Sequence, residues 1–261
     1  MFETIRIDTD SRGVATLWLA RADKHNALSA LMIDELTRAA EQLGADSSVR
    51  AVVLAAEGKS FCAGGDLGWM QDQMRADADM RRKGARALAM MLNALNTLPK
   101  PLIGRVQGNA FGGGVGMMSV CDVVLAVRGA RFGLTETRLG LIPATIGPYV
   151  LARMGEDKAR RVFMSARLFD AAEAVDLNLV ARLCDAEDLD KFTAEEVEPY
   201  LQCAPGAVAA AKRLARDLGP RIDAQVIDMT IDRLVEVWEG AEAPEGIAAF
   251  FERRKPGWQA G

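Results

Sequence analysis

Twice in this chain an apolar, strand-like run leads into a glycine cluster and then into a helix-like segment. Arg50–Ala56 precedes Gly64-Gly65 and a Met-rich helical region over Leu67–Leu98 that ends at Pro99. Leu102–Val106 precedes Gly112-Gly113-Gly114 and a small-residue helix, after which Val123–Val127 again reads as a strand. Glycines at strand-to-helix turns in a recurring strand, loop, helix unit predict an α/β fold. No exact sequence repeat accompanies it.

The flanks complete the pattern. Alternation over Phe2–Ile7 and the run Val14–Leu19, joined by a turn at Gly13, predict a hairpin. From Ser29, the apolar positions Met32, Ile33, Leu36, Ala39, Ala40 and Leu43 fall at helical spacing up to Gly44. Beyond Pro148 the chain reads as mostly helical, with one further strand at Val180–Leu183 and prolines 205, 220 and 244 between helices. We divide it into a core over residues 1–200 and a C-terminal helical region over 201–261. The latter carries Val226, Met229, Leu234, Val237, Ile247, Phe250 and Phe251, too many apolar residues for a solvated tail.

Both glycine clusters, Ser60–Asp66 and Gln107–Gly114, sit where a strand gives way to a helix. Free backbone N–H groups and the positive end of the helix dipole there favour a negatively charged oxygen, and glycine leaves the N–H unobstructed. Either cluster alone is accounted for by tight turns and close packing. Together they are harder to account for that way and point to a site for a negatively charged oxygen. Neither fits a dinucleotide fingerprint or a Walker-type loop, and no Gly-x-Ser-x-Gly elbow is present.

A net charge of -4 argues against nucleic acid as the main partner. The first ten residues carry Glu3, Asp8 and Asp10 and lack the pattern of a secretory signal, and Asp122 and four glycines interrupt the apolar stretch Ala110–Val127. We expect a cytoplasmic protein with no membrane segment. Cys62, Cys121, Cys184 and Cys203 are far apart, with no Cys-x-x-Cys, so neither a metal site nor a disulfide framework is expected.

Ser60–Asp66, Gly108–Asp122 and Phe132–Pro143 resemble, in order and spacing, the three signature segments of the enoyl-CoA hydratase/isomerase (crotonase) superfamily. Arg21–Leu28 and the tail from Glu245 to Trp258 resemble it as well. The resemblance implies a crotonase-like spiral of strand-strand-helix units, an acyl-CoA substrate, no cofactor beyond the coenzyme A of the substrate, and a homotrimer or homohexamer. It places the two oxyanion donors on the backbone N–H groups of Gly65 and Gly113. Glu136 falls on the position that exchanges a proton with the acyl α-carbon. Its apolar flank, Phe132, Gly133, Leu134, Leu139, Leu141 and Ile142, would raise its pKa.

The resemblance marks further binding candidates. Lys24 and His25 fall where CoA passes, Ala63 falls beside its adenine with Asp66 close by, and Arg253 matches a cation that reaches CoA phosphate from a neighbouring subunit. Trp69 and Met70 read as helix core, and the resemblance also makes their helix a wall of the acyl pocket, so both roles are expected of them. Phe250 is a further candidate in the helical tail.

Gly116 stands where many hydratases carry a first glutamate, so a two-glutamate hydration is not implied. One glutamate can still serve a hydratase, or an isomerase that shuttles a proton along the acyl chain. Within the superfamily, Ala110–Gly116 and Gly140–Val150 resemble bacterial 3-methylglutaconyl-CoA hydratases and the related isohexenylglutaconyl-CoA hydratases, with a general short-chain enoyl-CoA hydratase and an enoyl-CoA isomerase as the enzyme rivals. From Gly116, read as opening space, and from Thr145 and its neighbours, we expect a branched acyl group with a distal carboxylate. Arg75, Lys83 and Arg138 are the cations that could meet it. A non-catalytic protein on the same fold is the alternative class.

Overall fold

The computed structural model describes residues 2–259. A hairpin opens the chain, β1 (Ile5–Thr9) antiparallel to β2 (Val14–Leu19). Helix α1 (Ala30–Ala45) follows, its first turn capped by Ser29, whose hydroxyl accepts from the Met32 N–H.

Three turns of a spiral come next, each placing one strand in each of two sheets, where it pairs in parallel with the equivalent strand of the neighbouring turn. The pairs are β3 (Ala51–Ala56) with β4 (Ser60–Cys62), β5 (Leu102–Val106) with β6 (Asn109–Phe111), and β7 (Val123–Val127) with β8 (Arg131–Gly133). The first strand of each pair joins a six-stranded sheet of order β1-β2-β3-β5-β7-β10, where β10 is Arg182–Cys184. The second joins a four-stranded sheet of order β4-β6-β8-β9, where β9 is Leu168–Asp170 and runs antiparallel to β8. Stacking aligns equivalent residues, Val53 beside Ile103 and Ile103 beside Val123.

All six residues of β3 are buried, as expected of a parallel strand covered on both faces. The helices between turns are α2 (Leu67–Arg75) and α3 (Ala78–Thr97), α4 (Gly113–Val120), and α5 (Gly147–Met154). In α4 every residue from Gly114 to Val120 is buried, so its small side chains let it lie inside the spiral. Helices α6 (Glu156–Phe163), α7 (Ala171–Asp176), α8 (Leu189–Leu201) and α9 (Pro205–Leu218) lead to α10 (Ala224–Glu239) and α11 (Glu242–Glu252). Ile227 and Ile231 of α10 pack on Ala85 and Ala89 of α3. Arg82–Asp232 and Arg86–Asp228 pairs flank that contact.

Several expectations need correction. The Leu67–Leu98 region is two helices, because Ala76 is extended and Asp77 starts a new helix by accepting from the Met80 N–H at 2.8 Å. The short strands of the second sheet carry too few residues for a period to show, and β9 falls where only helix was expected. The last strand of the large sheet begins at Arg182, not Val180. Pro244 lies within the first turn of α11, where its missing N–H costs nothing, and not between helices. Cys62, Cys121 and Cys184 are buried free thiols and Cys203 is exposed. Among the described residues, no three potential metal ligands converge and no helix is long and apolar enough to cross a membrane.

Candidate active site

The two glycine turns meet beside one another, held by Leu28. The Leu28 N–H donates to the Gly64 carbonyl at 2.8 Å and the Leu28 carbonyl accepts from the Asp66 N–H at 3.0 Å, a bridge that straddles Gly65. Gly64 has φ +94°, a conformation that side chains disfavour. The Leu28 side chain also reaches the second turn, its Cδ1 only 2.6 Å from where a Cβ on Gly113 would stand.

At that second turn Gly112 takes φ 49° and ψ −114° and donates to the Gly133 carbonyl at 2.9 Å. The chain therefore enters α4 with the Gly113 N–H at its open end. Among the described residues no protein oxygen accepts from the N–H of Gly65 or of Gly113. Two unpartnered donors on adjacent turns form a cradle for an anionic oxygen.

Glu136 opens the 3-10 turn Glu136–Leu139 that follows β8. Gly140, at φ 69°, closes that turn by donating to the Glu136 and Thr137 carbonyls. One carboxylate oxygen, Oε1, lies 3.0 Å from where a Cβ on Gly112 would stand, which fixes the carboxylate against the second glycine turn. The other, Oε2, is buried and has no hydrogen-bond partner. Burial pushes the Glu136 carboxyl up to about 7.

That shift has a sign for stability. Between about pH 4.5 and 7 the folded chain holds a proton that the unfolded chain has lost, so stability falls as pH rises through that window. We expect Glu136→Gln to stabilise the fold at pH 8 by up to about 3 kcal/mol, with no gain below pH 4.5. Thermal melts of both proteins at the two pH values measure it.

Both turns and Glu136 line one cavity of about 420 Å³. Ala63, Trp69, Met70, Thr145 and Phe250 line it too, whereas Lys24, His25, Asp66, Gly116 and Arg253 do not. Thr135, Glu136 and Thr145 are its only side chains bearing oxygen, and no cation lines it, among the described residues. Arg75, Lys83 and Arg138 are all exposed outside it. A larger cavity of about 680 Å³ lies under α9, but it contains neither glycine turn nor Glu136.

The residues outside the cavity have other work. Asp66 caps α2, accepting from the Gly68 and Trp69 N–H groups, and pairs with Arg21 at 3.0 Å. These contacts hold its carboxyl below the ordinary range despite partial burial. Lys24 and His25 lie on an exposed 3-10 turn whose His25 carbonyl accepts from the Ala63 N–H at 3.0 Å. Arg253 is exposed, with no acidic partner among the described residues.

Gly116 opens no space. A Cβ there would stand 2.6 Å from Cγ2 of Ile146 and 3.0 Å from its Cβ, so Ile146 fills the place a longer side chain would need. Glu136 is thus the one carboxylate of the cavity among the described residues.

Sequence reasoning missed Asn26, which is fully buried with φ 53°. Its Nδ2 donates to the Glu57 and Ser60 carbonyls at 2.8 and 2.9 Å, and its Oδ1 accepts from the Arg21 N–H at 2.9 Å. It ties the Arg21–Leu28 loop, and so Leu28, to the first glycine turn. Its place inside a segment that resembles the family was the only available signal. Asn26→Ala leaves the Arg21 N–H and the Glu57 carbonyl unpaired, while the Ser60 carbonyl keeps its bond from Gln107 Nε2, and we expect a loss of about 2 kcal/mol, read as a fall in Tm of about 6 °C.

Residues 9–261 match the Enoyl-CoA hydratase/isomerase family. The chain is 33% identical over 240 residues to the enoyl-CoA hydratase ACTT6 of Alternaria alternata, covering 91% of this chain and 78% of that protein.

The chain belongs to the enoyl-CoA hydratase/isomerase family.

Two solved structures share the whole fold. The crystal structure of an enoyl-CoA hydratase from Shewanella pealeana superposes with a TM-score of 0.81 at 37% identity, over 99% of this chain and 97% of that one. Pseudomonas aeruginosa AtuE gives 0.80 at 38% identity, over 98% and 99%. The chain is therefore an enzyme of the hydratase/isomerase family, and its spiral is the crotonase fold.

Proposed function

We propose that this enzyme adds water across the double bond of a 2-enoyl-CoA thioester with an uncharged acyl chain. The observation that carries the reading is the buried, unpartnered Oε2 of Glu136 in the same cavity as the free N–H groups of Gly65 and Gly113. The thioester carbonyl oxygen sits between the two N–H groups. Ionised Glu136 takes a proton from a water as that water's oxygen bonds to C3, and the π electrons move through C2 onto the carbonyl oxygen. The resulting enolate is held by the two N–H groups and collapses as Glu136 returns the proton to C2, leaving a hydroxyl on C3. Coenzyme A enters as part of the substrate.

The distal carboxylate expected of a 3-methylglutaconyl group finds no cation among the described lining residues, and burying it unpaired is costly. We therefore assign a hydrocarbon acyl group. Arg253 is left for a CoA phosphate of a neighbouring copy in a cytoplasmic trimer or hexamer.

A side-by-side assay of crotonyl-CoA, 3-methylglutaconyl-CoA and a 3-enoyl-CoA, with products identified, tests the reading. Crotonyl-CoA should give a 3-hydroxyacyl-CoA with the highest kcat/KM of the three. Preferred hydration of 3-methylglutaconyl-CoA would overturn the uncharged-chain assignment. The single carboxylate in an apolar cavity favours one second reading, enoyl-CoA isomerisation, in which Glu136 moves a proton between C2 and C4. A 2-enoyl product from the 3-enoyl-CoA with no water added would establish it.

A further inference from the structure

Helix α2 begins at the first glycine turn and its nine residues end at Arg75. At about 1.5 Å per residue its far end lies about 13 Å from Gly65. Trp238 of α10 stands at that end. The indole lines the cavity, is 6% exposed, and belongs to the small cluster against which Met74 packs.

One guanidinium fixes it there. Arg81 of α3 lies 5.3 Å from the Trp238 ring centroid, while its Nε donates to the Gln73 carbonyl at 3.0 Å and its Nη2 to the Met74 carbonyl at 3.4 Å. The carbonyls at the end of α2 and the ring face are thus held by the same side chain. The Arg82–Asp232 and Arg86–Asp228 pairs and the Ile227 and Ile231 contact keep α10 against α3. Leu234, one turn before Trp238, and Ala85 and Leu88 of α3 continue the cavity wall beside the ring.

We propose that Trp238 is the specificity-determining stop that sets how long an acyl chain this enzyme accepts. The inference rests on the acyl-CoA reading above. An extended chain covers about 3.8 Å in three bonds, so a path as long as α2 holds roughly ten bonds. Longer chains meet an indole held in its cluster and stacked under Arg81. The uncharged wall around it selects hydrocarbon over a charged tail.

The test is a ladder of saturated acyl-CoAs from four to sixteen carbons, with Kd measured by calorimetry, beside a matching ladder of 2-enoyl-CoAs assayed for kcat/KM. Wild type should tighten with length up to roughly ten carbons and then weaken. Trp238→Leu should raise the affinity for the sixteen-carbon ester, relative to the four-carbon one, by about tenfold or more. Leu234→Ala, which leaves the ring in place, should shift the ladder much less and serves if the first variant does not fold, together with Arg81→Met, which frees the ring and should extend the accepted length. A ladder unchanged within twofold in Trp238→Leu, or in Arg81→Met where the first does not fold, overturns the proposal. If the binding ladder shifts as expected while no enoyl-CoA is turned over by wild type, Trp238 stands as the stop and the hydratase reading falls.

Discussion

Glu136→Gln should lower kcat for crotonyl-CoA by about 10²–10⁴-fold, the range that a positioned acid–base group contributes. No other carboxylate among the described lining residues can take over, and Ile146 closes the place beside Gly116 from which one could have come. The amide is isosteric, so Kd for a saturated acyl-CoA should stay within a few fold. The pH dependence is part of the same result. Glu136 must be ionised to accept the proton of water, so kcat/KM of wild type should rise about tenfold per pH unit up to about 7 and then level off. Whatever residual rate Glu136→Gln retains should show no such limb. Stopped assays across pH 5–9 on both proteins measure it, and near-wild-type kcat in the variant would show that the proton travels by another group.

The second large effect is expected at Gly113. Gly113→Pro removes the N–H at the open end of α4 while placing proline at the first helical position, which a helix tolerates. Losing one oxyanion donor should lower kcat by about 10²–10³-fold. Gly113→Ala is the control. It keeps the N–H, and its methyl meets the far end of the flexible Leu28 side chain rather than backbone. It should therefore retain much more of the rate. Equal losses in the two variants, with circular dichroism showing both folded, would mean that the turn acts by shape and not by its donor.

Much of this arrangement was legible before the structure. Val14–Leu19, Leu102–Val106 and Val123–Val127 are strands with the bounds their apolar runs predict, because strands inside a covered sheet are built mainly of apolar residues. The two glycine clusters announced unobstructed N–H groups, and the apolar flank of Glu136 announced its raised pKa.

What was not legible depends on contacts between distant segments. Nothing local in Gly116 says that Ile146, thirty positions on, fills the space beside it. Glycine there was read as room when it is instead what lets α4 and the segment before α5 touch. Asn26 reads as an ordinary loop residue until its three partners converge on it. Trp238 is not among the tail residues the sequence singles out, and only the structure shows that the cluster it belongs to borders the cavity. The absence of a cation around that cavity among the described residues was equally invisible, since Arg138 adjoins the lining residue Leu139 in sequence and Lys83 lies two positions from Ala85, yet both are exposed outside the cavity, as is Arg75.

The central claim, that Glu136 moves a proton to C2 of a thioester held by the two glycine turns, is tested most directly by running the reaction in D₂O. Crotonyl-CoA is incubated with wild type and with Glu136→Gln, and the product is read by NMR. The account predicts a 3-hydroxyacyl-CoA carrying one deuterium at C2 from wild type, formed at least a hundredfold more slowly by the variant. Deuterium entering C2 at equal rates in the two proteins, or no exchange at C2 in either, would contradict it.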